Sequence, residues 1–112
     1  MNQVELLTAL LDSLDSPYVF ADTDHVIRYM NRRAVEHYAA RGGADLVGQS
    51  LFACHNEQSA AVMREVLAAL AAGEEERMIT DGERFRAYMR AVRGPRGELL
   101  GYFERYEPPR GA

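Results

Sequence analysis

A ten-residue stretch near the C-terminus constrains the fold more than any other part of the sequence. Its side chains alternate with a period of two: one side carries Phe85, Ala87, Met89 and Ala91, and the other carries Arg84, Arg86, Tyr88 and Arg90. Successive side chains of a strand point to opposite faces of a sheet, so this alternation predicts a half-buried antiparallel strand. Residues 94–97 then read as a turn, and residues 98–106 as a closing strand that pairs with it.

The remaining segments predict an α+β fold. Leucine spacings of three and four over residues 2–14 indicate an amphipathic helix, and short aromatic and β-branched runs indicate strands at 18–22 and 26–30. Helices are expected at 32–41, after the natural cap Asn31, and at 56–72, with a further strand at 75–80. The predicted order is one helix, two strands, helices and then three strands. This order is typical of an antiparallel sheet with helices packed on one face.

The composition limits the class of protein. A chain of 112 residues with 47% hydrophobic and 27% charged residues has room for one ordered domain. Its net charge of −4 argues against a nucleic-acid surface, which needs clustered positive charge. The sequence shows no signal peptide and no apolar run of ~18 residues, and its one cysteine cannot form an intrachain disulfide. We therefore expect a cytoplasmic protein without membrane contact.

Catalytic motifs are missing from the sequence. It has no Ser-His-Asp arrangement, no metal-binding histidine pair at helical spacing and no phosphate loop, and its acidic residues fall in turns or on polar faces. We therefore expect a binding or signalling domain that is not an enzyme.

Three motifs, in the right order and at the right distances, resemble the PAS domain family. Asp22-Thr-Asp-His-Val-Ile-Arg-Tyr-Met-Asn31 is similar to the first hairpin of that family. Leu46-Val-Gly-Gln-Ser-Leu51 is similar to its Leu-Ile-Gly-Arg-Ser-Leu segment, and Val92-Arg-Gly-Pro-Arg-Gly-Glu-Leu-Leu-Gly-Tyr102 to its last hairpin. Together the motifs cover residues 17–106.

A narrower resemblance and two departures qualify this picture. The segment around Cys54 and His55 is similar to bacterial PAS domains that occur joined to hemerythrin-like domains, but it lacks the two prolines that usually follow. His25 stands at a turn position that usually carries glycine, a site that often needs positive φ. Tyr106-Glu-Pro-Pro replaces the usual Asp-x-Thr exit. From this exit we expect either a stand-alone module or a piece of a longer sensor.

The resemblance implies a five-stranded antiparallel sheet whose concave face, covered by helices, encloses a small cavity. PAS domains use this cavity for heme, flavin, organic acids or nothing, and they commonly dimerise through the outer sheet face and an N-terminal helix. We therefore expect a dimerisation helix at 1–16, a PAS domain at 17–107 and a C-terminal tail at 108–112. A homodimer is expected because one self-complementary patch serves both of its chains. The predicted contacts are the residues at spacings of three and four on this helix, Val4, Leu7, Leu11 and Leu14.

Candidate cavity residues follow from the pattern and from the resemblance. They are Tyr29, Asn31, His37, Tyr38, Leu51, Cys54, His55, Met63, Val66, Leu67, Phe85 and Met89. Cys54 and His55 are either a pocket group (a heme ligand, a metal ligand or a redox thiol) or a buried cysteine beside a capping histidine. The resemblance implies that a heme iron would take its axial histidine from the long helix. That helix contains no histidine here, so only His55 at its edge or His37 on the preceding helix could serve. A flavin–cysteine adduct is excluded, because Leu51 stands where light-sensing relatives carry the photoactive cysteine.

These observations favour a PAS sensory module that binds a small molecule in its cavity and signals through a dimer or a partner. Two alternatives stay open: a ligand-free interaction and dimerisation module whose core is filled, and a heme-binding gas or redox sensor. The sequence identifies neither the ligand nor the output protein or domain.

Overall fold

The computed structural model describes residues 1–111, except for the side chain of Cys54. The helices are α1 (Gln3–Asp12), α2 (Arg32–His37) and α3 (Glu57–Ala71), and short 3-10 turns occupy Ala39–Arg41, Gly43–Leu46 and Leu51–Cys54. The strands are β1 (Val19–Asp22), β2 (Ile27–Met30), β3 (Glu76–Asp81), β4 (Arg86–Arg93) and β5 (Leu99–Glu107). No helix within residues 1–111 is long and apolar enough to cross a membrane.

The strands form one five-stranded sheet in the order β2-β1-β5-β4-β3, and every neighbouring pair is antiparallel. The last strand lies in the middle, where Phe103 is opposite Phe20 of β1 and Arg90 of β4. The N-terminal hairpin is therefore joined to the C-terminal hairpin through β5. The predicted α+β class and the PAS-like five-stranded sheet are confirmed.

Most element boundaries lie within two residues of the prediction, and two of the differences have an identifiable cause. The helix expected at 32–41 is α-helical only to His37 and continues as a 3-10 turn, because Gly42 (φ 126°) and Gly43 (φ 53°) turn the chain away. The strand expected from residue 84 begins at Arg86, because the Gly82 amide donates to the Phe85 carbonyl (3.1 Å) and closes a tight turn first.

The core consists of two clusters on the helix-covered face of the sheet. Met63, Val66 and Leu70 recur at spacings of three and four on α3 and pack against the sheet residues Ala21, Met89 and Tyr102. The second cluster joins the β1–β2 hairpin to α2 and the following turn, and consists of Ile27, Met30, Ala34 and Leu46. Leu51 packs against both clusters.

Gly101 allows β1 and β5 to approach closely. A Cβ atom at this position would lie 2.0 Å from the Ala21 carbonyl oxygen, a separation that only a backbone shift could relieve. The residue is thus required by the same strand contact that joins the two hairpins.

Ion pairs cover the outer face of β3, β4 and β5. Glu76 accepts from Arg105 (2.6 Å) and from Arg90 (2.9 Å), and Glu107 pairs with both Arg105 and Arg86. The hydrogen bond from Arg105, followed by that from Arg90, lowers the pKa of Glu76 to about 2. This part of the outer sheet face is therefore polar.

Candidate ligand cavity

A cavity of about 110 Å³ lies between the β1–β2 hairpin, the 3-10 turns and β5. Its lining residues are Pro17, Val19, Ile27, Met30, Tyr38, Arg41, Leu46, Leu51, His55, Tyr102, Glu104 and Tyr106. For comparison, a dry cavity of about 150 Å³ in another protein binds benzene. The space therefore suits a small molecule of roughly that size or less.

One wall of the cavity is apolar. Val19, Ile27, Met30, Leu46 and Leu51 come from the first hairpin and the 3-10 turns. A β-bulge between Phe20 and Ala21 shifts the register of the hairpin at this point. An apolar wall of this kind would hold the hydrocarbon part of a ligand.

A second part of the lining, the polar wall, consists of side chains from β5. Tyr102, Glu104 and Tyr106 alternate along this strand, so all three face the same side of the sheet. The Tyr106 hydroxyl donates to Glu104 Oε2 (2.9 Å) and also hydrogen-bonds to Tyr38 at the end of α2. Burial, together with the Glu104 carboxylate, raises the pKa of Tyr106, so that this hydroxyl stays protonated.

Tyr102 is held by a histidine from the β1–β2 turn. His25 is only 6% exposed, its Nδ1 lies 2.8 Å from the Tyr102 hydroxyl, and its ring centroid is 4.4 Å from that of Phe52. Burial lowers the pKa of His25, which favours the neutral ring. Among the described residues Tyr102 has no second hydrogen-bond partner, so we assign its proton to the bond with Nδ1 and the ring proton to Nε2.

His25 adopts the left-handed backbone that the sequence analysis expected at this turn, with φ 62°. Its amide donates to Asp22 O and its carbonyl accepts from Leu51 N (2.8 Å), which links the turn to the cavity lining. The strained position is thus occupied by a residue whose side chain supports the cavity wall.

His55 lies at the cavity edge with an exposed ring. Its Nδ1 is 2.7 Å from the Leu51 carbonyl oxygen, so Nδ1 carries the proton and donates. In the neutral ring Nε2 is then an acceptor. The predicted role of Cys54 lies outside the described residues, because its side chain is not described.

The residues present do not fit a heme. A porphyrin is several times larger than benzene, whereas the cavity measures about 110 Å³. His37 is exposed on α2, and its ring stacks edge-on against Tyr38 (4.7 Å). Among the described side chains, which exclude Cys54, there is also no group of three or more His, Cys, Asp or Glu that could hold a metal ion.

The structure places only part of the predicted cavity set at this cavity. Tyr38, Leu51 and His55 line it. Met63 and Phe85 line an adjoining surface groove, which shares His55, Glu104 and Tyr106 with the cavity.

The other predicted cavity residues lie elsewhere, for identifiable reasons. Val66, Leu67 and Met89 pack between α3 and the sheet, where the core is filled. Tyr29 alternates to the opposite side of β2 from the buried Met30, and its buried hydroxyl has no hydrogen-bond partner among the described residues. Burial raises the pKa of Tyr29.

Asn31 is fully buried and serves as a connector. Its Oδ1 accepts from the amides of Tyr18 (2.9 Å) and Ala34 (3.0 Å), and its Nδ2 donates to the carbonyls of Leu11 (3.0 Å) and Ser16 (3.1 Å). The helix cap expected at this residue is present, and the same side chain fixes the end of α1.

Sequence reasoning missed the polar wall. Tyr102, Glu104 and Tyr106 follow a period of two within the closing strand, and that period could have identified them as one face. What the sequence does not indicate is that this face meets Tyr38 and Arg41, which come from the turn after α2.

The N-terminal helix has an exposed apolar face. Val4 is 72% exposed, Leu7 46% and Leu10 59%, whereas Leu11 and Leu14 are half-buried. The Asp12 carboxylate accepts from the Arg32 amide (2.8 Å), so the C-terminal end of α1 is fixed to the start of α2. Of the predicted dimer residues, Val4 and Leu7 are therefore available to a partner, and Leu11 and Leu14 partly serve the chain itself.

Comparisons with known proteins agree with this architecture. A family model described as a PAS domain matches residues 7–106. No curated protein matches the chain.

Solved structures share the fold at low identity. The PAS domain of BvgS from Bordetella pertussis is 19% identical, with a TM-score of 0.69, over 95% of this chain and 85% of that one. The Aer2 receptor of Vibrio cholerae, described as a dual PAS-heme oxygen sensor, is 19% identical with a TM-score of 0.59 over 83% and 93%. The VqmA dimer of the same organism is 14% identical with a TM-score of 0.70, over 99% of this chain and 54% of that one.

Proposed function

The chain belongs to the PAS domain family, and on this premise we propose that it is a sensory module that binds a small molecule in its cavity and signals through dimer contacts. The observation that carries the proposal is the cavity of about 110 Å³, which is lined by apolar side chains and by Tyr102, Glu104 and Tyr106. A ligand can shift the module between two arrangements only by the difference in its affinity for them. Similar structures support this use of the fold, since VqmA is described as bound to DPO.

Native mass spectrometry of the purified protein tests for a co-purified molecule directly. A thermal-shift screen of small metabolites adds a second test, because a ligand at 100 times its Kd stabilises the folded state by roughly 2.7 kcal/mol. The variant Val19→Phe, which places a ring in the cavity, is expected to abolish the shift. Val47→Phe is the matched control, since Val47 is 44% exposed and lies outside the lining of the cavity and of the adjoining groove. A ligand shift of equal size in both variants would place binding elsewhere.

The exposed apolar face of α1 favours a second function, which is dimerisation. This function does not require that the cavity binds a ligand. Val4, Leu6, Leu7 and Leu10 expose large apolar side chains along one helix. A stable pair buries about 1,200–2,000 Å² in total, so the contact would need this face and neighbouring surface of the sheet. Leu7→Glu is expected to give a monomer by light scattering at micromolar concentration, and Gln3→Glu, an exposed change on the same helix, is expected to leave the dimer. A dimer that survives Leu7→Glu would contradict this assignment. If, in addition, no compound shifts the melting temperature, a ligand-free interaction module is the better description.

A further inference from the structure

The hydroxyl protons around the cavity are already used within the chain. Tyr106 donates its proton to Glu104, so in its hydrogen bond with Tyr38 it must accept, and Tyr38 donates. Tyr102 donates to His25 Nδ1 in the tautomer assigned above. In this arrangement the hydroxyl oxygens retain only acceptor capacity toward the cavity, and the same holds for the second oxygen of Glu104.

His55 adds to this pattern. Its Nδ1 donates to the Leu51 carbonyl, so that whenever the ring is neutral only the Nε2 lone pair is left. Arg41 is the one donor-bearing cation among the lining residues, and it is exposed to solvent. Exposed charges are screened by water and salt, whereas the half-buried Glu104 is less so.

Glu104 has no cationic partner among the described residues, whose ion pairs all involve other carboxylates. A carboxylate removed from water without a compensating cation is unfavourable, and a bound cation with N–H donors relieves that cost. A carboxylate ligand would instead place a second negative charge beside it.

We propose that the cavity is selective for a small primary amine, with its ammonium group on Glu104 and a compact hydrocarbon group against Val19, Ile27 and Leu46. The inference rests on the proposed ligand-binding function and specifies the chemical class of the ligand. The volume of about 110 Å³ limits the hydrocarbon group to a few carbon atoms.

The test compares three probes that share an isopropyl group, isobutylamine, isobutyric acid and isobutanol, on the intact wild-type chain, each at millimolar concentration and matched ionic strength. Millimolar concentrations are needed because the binding energy available to so few atoms is small. The amine is expected to raise the melting temperature by several degrees, and the acid and the alcohol are expected to have little effect. Since this comparison uses the wild-type chain, it does not depend on the folding of any variant.

A variant pair then assigns the effect to the carboxylate. Glu104→Gln is expected to weaken isobutylamine binding at least about tenfold in calorimetry, the factor for one hydrogen bond to a charged group. Glu83→Gln removes the same charge from an exposed residue outside the cavity and is expected to leave binding unchanged. Equal affinities in wild type and Glu104→Gln would overturn the inference.

The outcomes separate the inference from the function on which it rests. Two results would show that the cavity binds a ligand but does not select an amine. One is stabilisation by isobutyric acid that is lost in Arg41→Ala, and the other is stabilisation by isobutanol to the same extent as by the amine. If no probe acts, and native mass spectrometry finds no co-purified molecule, ligand binding in this cavity is itself wrong.

Discussion

The hydrogen bond between His25 and Tyr102 ties the first turn of the sheet to the cavity wall, and we expect it to stabilise the fold measurably. The perturbations are His25→Asn and Tyr102→Phe, singly and together. Asparagine tolerates the left-handed backbone (φ 62°) better than most residues, so His25→Asn removes the ring without adding backbone strain.

The expected magnitudes follow from the contacts. His25→Asn leaves the Tyr102 hydroxyl without its partner, which costs about 1–2 kcal/mol because water in the cavity can replace part of the bond. The lost ring contact with Phe52, at 4.4 Å between centroids, adds about 0.5–1.5 kcal/mol. We therefore expect His25→Asn to lower the free energy of unfolding by about 2–3 kcal/mol, and Tyr102→Phe to lower it by about 1 kcal/mol.

Urea denaturation of the wild type and the three variants measures the coupling between the two residues. The double variant is expected to lose about 1 kcal/mol less than the sum of the single losses, because each single variant already breaks the shared bond. Additive losses, within about 0.3 kcal/mol, would refute the reasoning.

The pH dependence of the same variants supplies an independent check. The folded-state pKa of His25 is lowered by burial below its usual value of 6.5, so the unfolded chain binds a proton more readily than the folded chain. The stability that depends on the neutral ring is therefore complete above about pH 6.5 and is lost as the pH falls below it. The stability difference between wild type and His25→Asn is expected to narrow in that range, although Asp22 and Asp24 oppose the effect of burial and of Arg64 on this pKa.

Three further predictions concern stability. Gly101→Ala should lower the melting temperature by well over 10 °C in a thermal scan, because its Cβ would lie 2.0 Å from the Ala21 carbonyl oxygen; a change of a few degrees would contradict the close approach. Asn31→Ala should cost about 3 kcal/mol in urea denaturation, since it removes four hydrogen bonds to buried or half-buried backbone groups; a loss under 1 kcal/mol would contradict the connector role. Glu76→Gln should cost about 1 kcal/mol at pH 7, a value discounted because the side chain is 26% exposed, and the cost should vanish as the pH falls from about 4.5 to about 2; a cost independent of pH in that range would contradict the ion pairs with Arg90 and Arg105.

The sequence predicted those elements whose signal is local. The pattern of residues 56–72 predicted the helix α3, and the alternation around Met89 predicted β4. Both patterns reflect burial against a sheet, which is a property of each segment by itself.

The cavity could not be located in the same way, because it forms between segments that are distant in the sequence. Tyr38 meets Tyr106 only because β5 lies in the middle of the sheet and the helix after β2 ends early. His25 likewise meets Tyr102 across 77 positions of the chain. Contacts of this kind depend on strand order and register, which short-range periodicity does not contain.

The four hydrogen bonds of Asn31 have a mechanical consequence. This one side-chain amide hydrogen-bonds to the last turn of α1, the segment before β1 and the first turn of α2. The residue before it, Met30, lines the cavity. A rotation of α1 must therefore either displace Met30, and with it part of the cavity lining, or break one of these hydrogen bonds. Asn31 thus works as a rigid coupling between the helix that can meet another molecule and the space that can enclose one.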